Sequence, residues 1–430
     1  MTLSEHCKGL LALSPVALLL GVYIAMSLVV GDFYRISIGV AFVVAAIYGI
    51  VITRGEKLQS RISVFSQGAA NSDIIYMVWI FVLAGIFASS AEQMGAVDTT
   101  VAMTIRVVPA EFLPAGIFLA SCFISMSIGT SVGTIVALTP IVTGLAGSMG
   151  GDVAWAVAIV VGGAFFGDNL SFISDTTIAA TQSQGCRMSD KFRTNLLIVL
   201  PAAIFAFALY LMHSGSPEQL VAATDIEWYK ALPYIIVIVC ALLGVNVLMV
   251  LVIGIVASDV IGLASGSLDI VALFEAAGKG INSMSELIVV TMLAGGLMGI
   301  VKHNGGFDYL INALTARVRG RRGAEAVITL LTALTNLCTA NNTIAIVTVG
   351  PIARDIAERY GVPARKSASL MDTASCFVQG LLPYGAQLLM ASGLVGISPL
   401  EIVPHLYYSM AIGVMVALSI VLQYPRIKRK

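Results

Sequence analysis

Long apolar runs account for much of the sequence and constrain its fold more than any other feature. A helix needs roughly 20 apolar residues to cross the hydrocarbon core of a bilayer, within a range of about 17 to 25. The runs that meet this length lie near residues 10–30, 34–52, 74–90, 195–212, 231–247, 248–264, 285–301 and 404–424. The chain is 58% hydrophobic and only 11% charged, whereas soluble globular proteins carry roughly 25% charged residues. These features predict an all-α polytopic membrane protein.

Several other classes of protein are excluded by what the sequence lacks. The formal net charge is zero, so there is no basic footprint for nucleic acid. No G-x-x-x-x-G-K-[ST] motif is present, which argues against an ATP-driven pump. The longest polar loop, near residues 213–230, is too short for a soluble catalytic domain, so we expect neither enzyme activity nor a cofactor. The cysteines show neither C-x-x-C pairs nor metal-ligand spacing.

Four segments combine apolar sequence with a polar interruption. Residues 111–147 and 322–357 each contain an apolar run, a short polar tip and a second short apolar run, the pattern expected of a re-entrant hairpin. Residues 152–186 and 367–396 resemble crossing helices that are broken at their middles. The sequence therefore predicts about ten crossing helices, two re-entrant hairpins and two broken helices.

The two halves of the chain resemble each other in the order and spacing of their motifs. Leu83-Ala84-Gly85 corresponds to Leu293-Ala294-Gly295, and the hairpins and broken helices follow in the same order. Weak internal symmetry of this kind is typical of secondary transporters. The first predicted repeat covers residues 1–215, with three spans, hairpin 111–147, broken helix 152–186 and span 195–212. The second covers residues 216–430, with spans in 231–301, hairpin 322–357, broken helix 367–396 and span 404–424.

The basic residues predict how the spans are oriented. We expect the protein in the inner (plasma) membrane, with both termini in the cytoplasm. In this orientation 20 of the 24 Lys and Arg residues lie on the cytoplasmic side. The four that lie on the opposite side are Arg35, Arg106, Lys230 and Lys279. An excess of inside Lys and Arg is the usual bias of membrane proteins. This count places Lys191 and Lys366 in inside loops. The resulting topology inverts one repeat relative to the other.

The most informative interruption is Gly167-Asp168-Asn169-Leu170-Ser171-Phe172-Ile173-Ser174-Asp175-Thr176-Thr177. It places two carboxylates, an amide and four hydroxyls inside an apolar run. Unpaired polar groups in hydrocarbon cost several kcal/mol each, and ionisable groups at that depth are functional candidates. Broken helices also leave free amide and carbonyl ends, which bind ions and small polar substrates. We therefore expect the transport site here.

The candidate ligands are oxygen-bearing side chains, which sodium prefers as a hard cation. In the first half they are Asp168, Asn169, Ser171, Ser174, Asp175, Thr176 and Thr177, with Thr130, Ser131 and Thr134 on the hairpin. In the second half they are Asn341, Asn342, Thr343, Asp372, Gln379, Tyr384 and Gln387. Asp175 is the foremost candidate and Asp168 the second, with Asn169 completing the sodium ligands. A helix cap or a brace for the unwound loop is the alternative role for Asp168.

A carboxylate at this depth can hold either a proton or a sodium ion, but rarely both, because each neutralises the same charge. This competition is a chemical basis for exchange of the two ions. The sequence therefore predicts that Asp175→Asn abolishes sodium-driven proton movement.

The central stretch resembles the NhaC-type family of sodium/proton antiporters, in which a run such as G-D-N-L-S-P-I-S-D-T-T is frequent. Every polar position of Gly167–Thr177 matches that run, and Phe172 stands in place of the proline. The resemblance implies a sodium-coupled antiporter in a lipid bilayer, with an inverted-repeat, hairpin-bearing fold and alternating access. It implies sodium and protons as the transported ions, and a homodimer by analogy with related transporters.

Two other functions remain open from the residues. The second interruption, residues 379–387, holds amides and a tyrosine but no acid, so it also suits a small organic solute such as an amino acid, malate or lactate. A channel is the other alternative. It needs a continuous polar path across the membrane, whereas the polar clusters are predicted only near the middle of the membrane.

Overall fold

A computed structural model describes residues 3–30, 38–53, 57–146, 149, 151–171, 174–213, 226–243, 245–316 and 318–425, and this part of the chain is helical without strands. The first half contains α1 (Leu3–Val30), α2 (Ile38–Ile52), α3 (Leu58–Ala69), α4 (Ser72–Gln93), α5 (Ala96–Val107), α6 (Leu113–Ile128), α7 (Ser131–Leu145), α8 (Val153–Leu170), α9 (Asp175–Gln184) and α10 (Met188–Met212). The all-α prediction is confirmed.

The second half contains α11 (Leu232–Leu242), α12 (Val247–Ser265), α13 (Ile270–Ser283), α14 (Ser285–His303), α15 (Gly306–Thr315), α16 (Gly320–Thr339), α17 (Asn342–Tyr360), α18 (Ala364–Leu381), α19 (Ala386–Val395), α20 (Pro399–Ile402) and α21 (Tyr407–Val421). Short 3-10 helices lie at Ala110–Phe112, Trp228–Ala231 and Val403–His405. The predicted spans 231–247 and 248–264 correspond to α11 and α12; Gly244 between these helices lies outside the described residues, and Asn246 caps the start of α12 by accepting from Leu248 N.

Several helices are long and apolar enough to cross a bilayer, as the composition predicts. Within the described residues they are His6–Tyr23, Ile74–Gln93, Val153–Gln184, Met188–Met212, Val247–Ser265 and Ile270–His303. Ala364–Val395 with Pro399–His405 adds a further segment, which is bent by 104°. Helices α2, α6, α7, α21 and the segment around α11 are apolar but shorter. The protein is therefore a multi-pass membrane protein, while ten crossings remain a prediction.

The predicted interruptions lie where the helices end. The segment 152–186 consists of α8 and α9, and the segment 367–396 consists of α18 and α19, so both broken helices are confirmed. The segments 111–147 and 322–357 each form two helices joined by a short tip. Gly129 (φ 76°) and Ala340 (φ 50°) end the first helix of each pair in the left-handed region, where glycine fits without strain and alanine does not.

The boundaries of the broken helices repeat at a constant separation along the chain. The step from Val153 to Ala364, the first residues of α8 and α18, equals the step between the last residues of these helices. The first residues of α9 and α19, Asp175 and Ala386, keep the same step. We refer to this separation as the repeat offset. The inverted orientation of the two repeats in a membrane remains a prediction, and the proposed division between residues 215 and 216 lies outside the described residues.

Short helices that the sequence analysis did not assign also recur. Helices α5 and α15 follow Gly95 and Gly305, which are both left-handed, with φ angles of 83° and 75°. These helices are too short to cross a bilayer, so a search for apolar spans passes over them.

The two halves of the chain exchange helical segments, because the second part of each broken helix packs against a helix of the other half. Helix α9 packs on α17 of the other half, and α19 packs on α7. The second part of each broken helix therefore contacts the hairpin of the opposite repeat. This exchange brings both hairpin tips to the two breaks.

Close packing of α6 on α8 depends on a small residue at position 163. A β-carbon added to Gly163 would lie 2.5 Å from Ser121 Cβ and 2.8 Å from Phe118 O. We expect Gly163→Ala to lower the free energy of unfolding by about 1–3 kcal/mol, the usual cost of overpacking. Thermal unfolding in detergent measures this loss. Gly116→Ala on the open side of α6, where nothing lies within 4 Å, is the control and should not destabilise the protein.

Candidate ion-binding site

Matching hydrogen bonds tie each hairpin to the first part of its broken helix. Ser125 Oγ donates to Ala164 O at 2.6 Å, and Asn336 Nδ2 donates to Ser375 O at 2.8 Å. The two donors are separated by the repeat offset, and so are the two acceptors. In both halves, the same kind of hydrogen bond, from a side chain to a backbone carbonyl, therefore fixes the hairpin against the helix.

A second pair of bonds joins the hairpins to the breaks themselves. Ser171 Oγ donates to Met126 O at 2.8 Å, and Tyr384 OH donates to Leu337 O at 2.7 Å. Ser171 and Tyr384 are both predicted site residues, and their hydroxyl protons are used to satisfy carbonyls near the end of a hairpin helix. These contacts indicate a positioning role.

Asp168 is the carboxylate on which the two hairpins and the first break converge. It is only 5% exposed. Its Oδ1 accepts a hydrogen bond from Ser174 Oγ at 2.6 Å, and its Oδ2 accepts from Ser131 Oγ at 3.0 Å and Asn342 Nδ2 at 3.5 Å. The donors come from the break and from both hairpin tips, so the structure brings these predicted residues together. We refer to these four residues as the Asp168 site.

Amides from the second broken helix extend this network. Gln387 Nε2 donates to Ser131 Oγ at 3.0 Å, and Gln379 Nε2 lies 2.9 Å from Gln387 Oε1 and 3.0 Å from Ala340 O. Gln379 follows Asp168 by the repeat offset, so the second repeat carries an amide where the first carries a carboxylate. The site is therefore asymmetric in charge although the boundaries of the broken helices repeat at a constant separation.

Asp175 lies beside the Asp168 site but is not enclosed by it. It is the first residue of α9, its side chain is exposed, and it lies close enough to Asp168 for electrostatic interaction. The next residue, Thr176, is buried, with its Oγ1 2.9 Å from Ser174 Oγ and 3.4 Å from Asp168 O. Phe172, the departure from the family pattern, lies outside the described residues.

Lys191 is a site residue that the sequence analysis missed. It was counted in an inside loop, but it lies in the first turn of α10 and is buried, and Lys366 is likewise buried at the start of α18. The ammonium of Lys191 pairs with Asp372 and donates to Asn169 O at 2.6 Å and Thr177 Oγ1 at 2.8 Å. The loop interpretation is wrong for both lysines, because each begins a helix whose first turn is covered by neighbouring helices.

Asn195 is a second missed residue, four positions after Lys191 on the same face of α10. Its Nδ2 donates to Asn169 O at 2.8 Å and also to Asn169 Oδ1. Its Oδ1 accepts from Ser369 Oγ and Thr373 Oγ1, each at 2.7 Å. Asn169 therefore serves to join α8 to α10 and α18. The i, i+4 spacing of Lys191 and Asn195 before an apolar run was the available sequence signal.

The remaining predicted residues lie around the hairpin tips. Thr134 Oγ1 donates to Thr130 O at 3.2 Å, and Asn341 Oδ1 accepts from Ile344 N at 3.0 Å as the N-cap of α17. Thr343 contributes its backbone N–H to Asn342 Oδ1 at 3.1 Å. These bonds satisfy helix ends that would otherwise be unpaired within the protein.

Two cavities lie at the far ends of the exchanged helices. One, of about 440 Å³, is lined by the C-terminal end of α9 together with α17 and the start of α18, and includes Gln184 and Arg354. The other, of about 450 Å³, is lined by α4, α7, α13 and the C-terminal end of α19, and includes Glu92 and Lys279. The two cavities thus share the C-terminal end of a second helix part and a hairpin helix of the other half, whereas α4 and α13 line only the second.

Two hairpins and two broken helices around a buried carboxylate define a secondary transporter. The sequence model of the Na+/H+ antiporter family matches residues 8–215 and 221–422. The chain belongs to the Na+/H+ antiporter family.

Individual proteins are similar to this chain at low identity. The Na(+)/H(+) antiporter NhaC of Alkalihalophilus pseudofirmus is 23% identical, over 77% of this chain and 78% of its own. The malate-2H(+)/Na(+)-lactate antiporter of Bacillus subtilis is 20% identical, over 94% and 93%. Among solved structures, the YdaH transporter of Alcanivorax borkumensis is 15% identical, with a TM-score of 0.40 over 85% of this chain and 88% of that one.

Proposed function

We propose that the protein exchanges sodium ions for protons across the plasma membrane by alternating access, with Asp168 as the residue that binds either ion. The family membership supports the reaction. The burial of Asp168 between both hairpin tips and the first break carries the assignment of the site. Sodium and protons are the transported ions, and no further cofactor is needed for this exchange.

The chemistry follows from the partners of Asp168. Its charged form is held by two hydroxyls and one amide, and each hydroxyl also has oxygen lone pairs that can face a cation after rotation. Ser131, Ser174 and the carboxylate thus offer oxygen ligands from separate elements, the ligand type that a hard cation requires. Protonation of Asp168 removes the charge that attracts sodium, so binding of one ion opposes binding of the other.

The arrangement of α9 and α19 supports alternating access. Each is the second part of a broken helix, each packs on the hairpin of the other repeat, and each ends at one of the two cavities. Movement of either helix relative to its hairpin partner would connect the Asp168 site to a different cavity. Cytoplasmic termini and a homodimer belong to this proposal as well.

A proteoliposome assay tests the exchange directly. An outward sodium gradient is imposed on vesicles that contain the purified protein and an internal pH dye. We expect the vesicle interior to become acidic as sodium leaves and protons enter. Gradients of lithium or potassium at equal ionic strength measure the ion selectivity. A pH trace that matches protein-free vesicles would exclude sodium/proton exchange by this chain.

A hydroxyl that contacts the carboxylate provides a finer prediction. Ser174→Ala removes the bond to Asp168 Oδ1 and one candidate sodium ligand, and hydrogen bonds to charged groups contribute about 1.5–3 kcal/mol. We expect the sodium concentration for half-maximal exchange to rise by about tenfold. Ser121→Ala is the control, because its buried hydroxyl donates to Ile117 O within α6. An equal effect of both variants would remove Ser174 from the site.

A small organic solute carried with sodium is the second candidate function. The specific observation is the row of amides formed by Gln379 and Gln387, which reaches Ser131 of the Asp168 site. Amides can hydrogen-bond a carboxylate as well as complete an ion shell, and the Bacillus subtilis relative is named as a malate/lactate antiporter. Uptake of labelled malate, lactate and amino acids, with and without sodium, separates the two functions.

A further inference from the structure

The ammonium of Lys191 is held in a compact cage of oxygen atoms. Asn169 O and Thr177 Oγ1 accept at 2.6 and 2.8 Å, and Asp372 Oδ2 forms the ion pair. The Lys191 and Asp372 side chains are 1% and 0% exposed. An ammonium has three donors and no acceptor, so these three oxygens use its full bonding capacity. We refer to these oxygens as the Lys191 cage.

The Lys191 cage has the composition of a site for a monovalent cation. It combines a carboxylate, a hydroxyl and a backbone carbonyl, which are all hard oxygen ligands. Asn169 is the next-to-last residue of α8, so its carbonyl belongs to the helix C-terminal end, where the macrodipole favours positive charge. Asp168 and Asn169 are adjacent, so the cage lies directly beside the Asp168 site.

The other groups that face the cage do not replace the charge of Lys191. Cys376 Sγ lies 3.9 Å from the second oxygen of Asp372, and the Thr176 hydroxyl also interacts with this carboxylate. Asp168 is the nearby acid inside the site, and Asp175 is exposed. Within the described residues, Asp372 is therefore the buried carboxylate that faces the ammonium, and Asp168 interacts electrostatically with Asp372.

We propose that the Lys191 cage is a second monovalent-cation site, which the protein fills with its own lysine. The wild-type protein then binds one sodium ion, at Asp168, and the second position is closed to sodium. Removal of the ammonium opens the cage to a second sodium ion. This inference rests on the proposed function, because it takes Asp168 as the site of the first ion.

Counting bound sodium tests the proposal. Purified protein in lipid nanodiscs is equilibrated with radioactive ²²Na+, and bound ions per chain are measured at saturation. We expect one ion in the wild type and two in Lys191→Met. The double variant Lys191→Met/Asp372→Asn lacks the charge of the cage and should bind one. Arg193→Met, which removes an exposed cation from the same helix, should also bind one.

The outcomes separate this inference from the proposed function. Absence of sodium binding in the wild type would contradict the Asp168 site itself. Two ions in the wild type, or one ion in a monodisperse Lys191→Met protein, would contradict only the second site. Two ions in the double variant would place any second site elsewhere. If Lys191→Met does not fold, the number of sodium ions bound by the wild type still tests the proposal, because two ions would contradict it.

Discussion

Asp168→Asn is expected to reduce sodium-driven proton movement by about a hundredfold or more. The variant keeps the shape of the side chain and its position between Ser131 and Ser174, but it removes the charge that either ion must neutralise. A charge-assisted interaction contributes about 3 kcal/mol, which is about two orders of magnitude in binding. The rate of pH change in proteoliposomes under a sodium gradient measures the effect.

Asp175→Asn is the matched comparison, because it changes the neighbouring carboxylate in the same way. Asp175 is exposed at the start of α9, so we expect exchange to continue with a higher sodium requirement. Abolished exchange in Asp175→Asn together with activity in Asp168→Asn would return the central role to Asp175, as the sequence alone suggested. Size-exclusion profiles and thermal unfolding of both variants show whether either loss reflects misfolding.

The main architecture was predictable because it follows from the bilayer. Apolar length defines the spans, and a polar tip inside an apolar run is tolerated only where protein covers it. The breaks at residues 171–174 and 382–385 and the tips at residues 129–130 and 340–341 therefore lay close to their predicted positions.

The different surroundings of the two acids were not predictable from their spacing. Asp168 and Asp175 both interrupt the same apolar run, but Asp168 lies in the last turn of α8 and contacts the hairpins, whereas Asp175 begins α9 with its side chain exposed. A sequence pattern indicates the depth of a residue in the membrane, but it does not indicate where the side chain points when the helix is interrupted. The helix directions that separate these acids depend on contacts with residues in the other half of the chain, such as Asn342.

Lys191 was missed for a related reason. A lysine before an apolar run usually lies in a loop that faces the cytoplasm, and its burial here depends on Asp372 in the other half of the chain. The second half supplies that acid, which the sequence analysis had placed among the candidate ion ligands and not as the partner of a lysine. The pairing joins α10 of the first repeat to α18 of the second, so neither half alone contains the information.

Asp372→Asn is expected to destabilise the protein strongly, by about 3–5 kcal/mol, because it leaves the ammonium of Lys191 buried without a counter-charge. The measurement is thermal unfolding in detergent, with the midpoint followed in sodium and in choline chloride. The double variant Lys191→Met/Asp372→Asn removes both charges and should recover most of the loss. A double variant no more stable than Asp372→Asn would show that the ion pair is not the cause.

The two single variants of the pair should respond to sodium in opposite ways. In Lys191→Met the unpaired group is the Asp372 carboxylate, which sodium can neutralise from the Lys191 cage, so sodium should raise the unfolding midpoint toward that of the wild type. In Asp372→Asn the unpaired group is a cation, which sodium cannot neutralise. Sodium should therefore raise the unfolding midpoint of this variant by no more than it raises that of the wild type. Equal sodium stabilisation of both variants would contradict a cation position beside Asp372, since only one of them leaves a negative charge there.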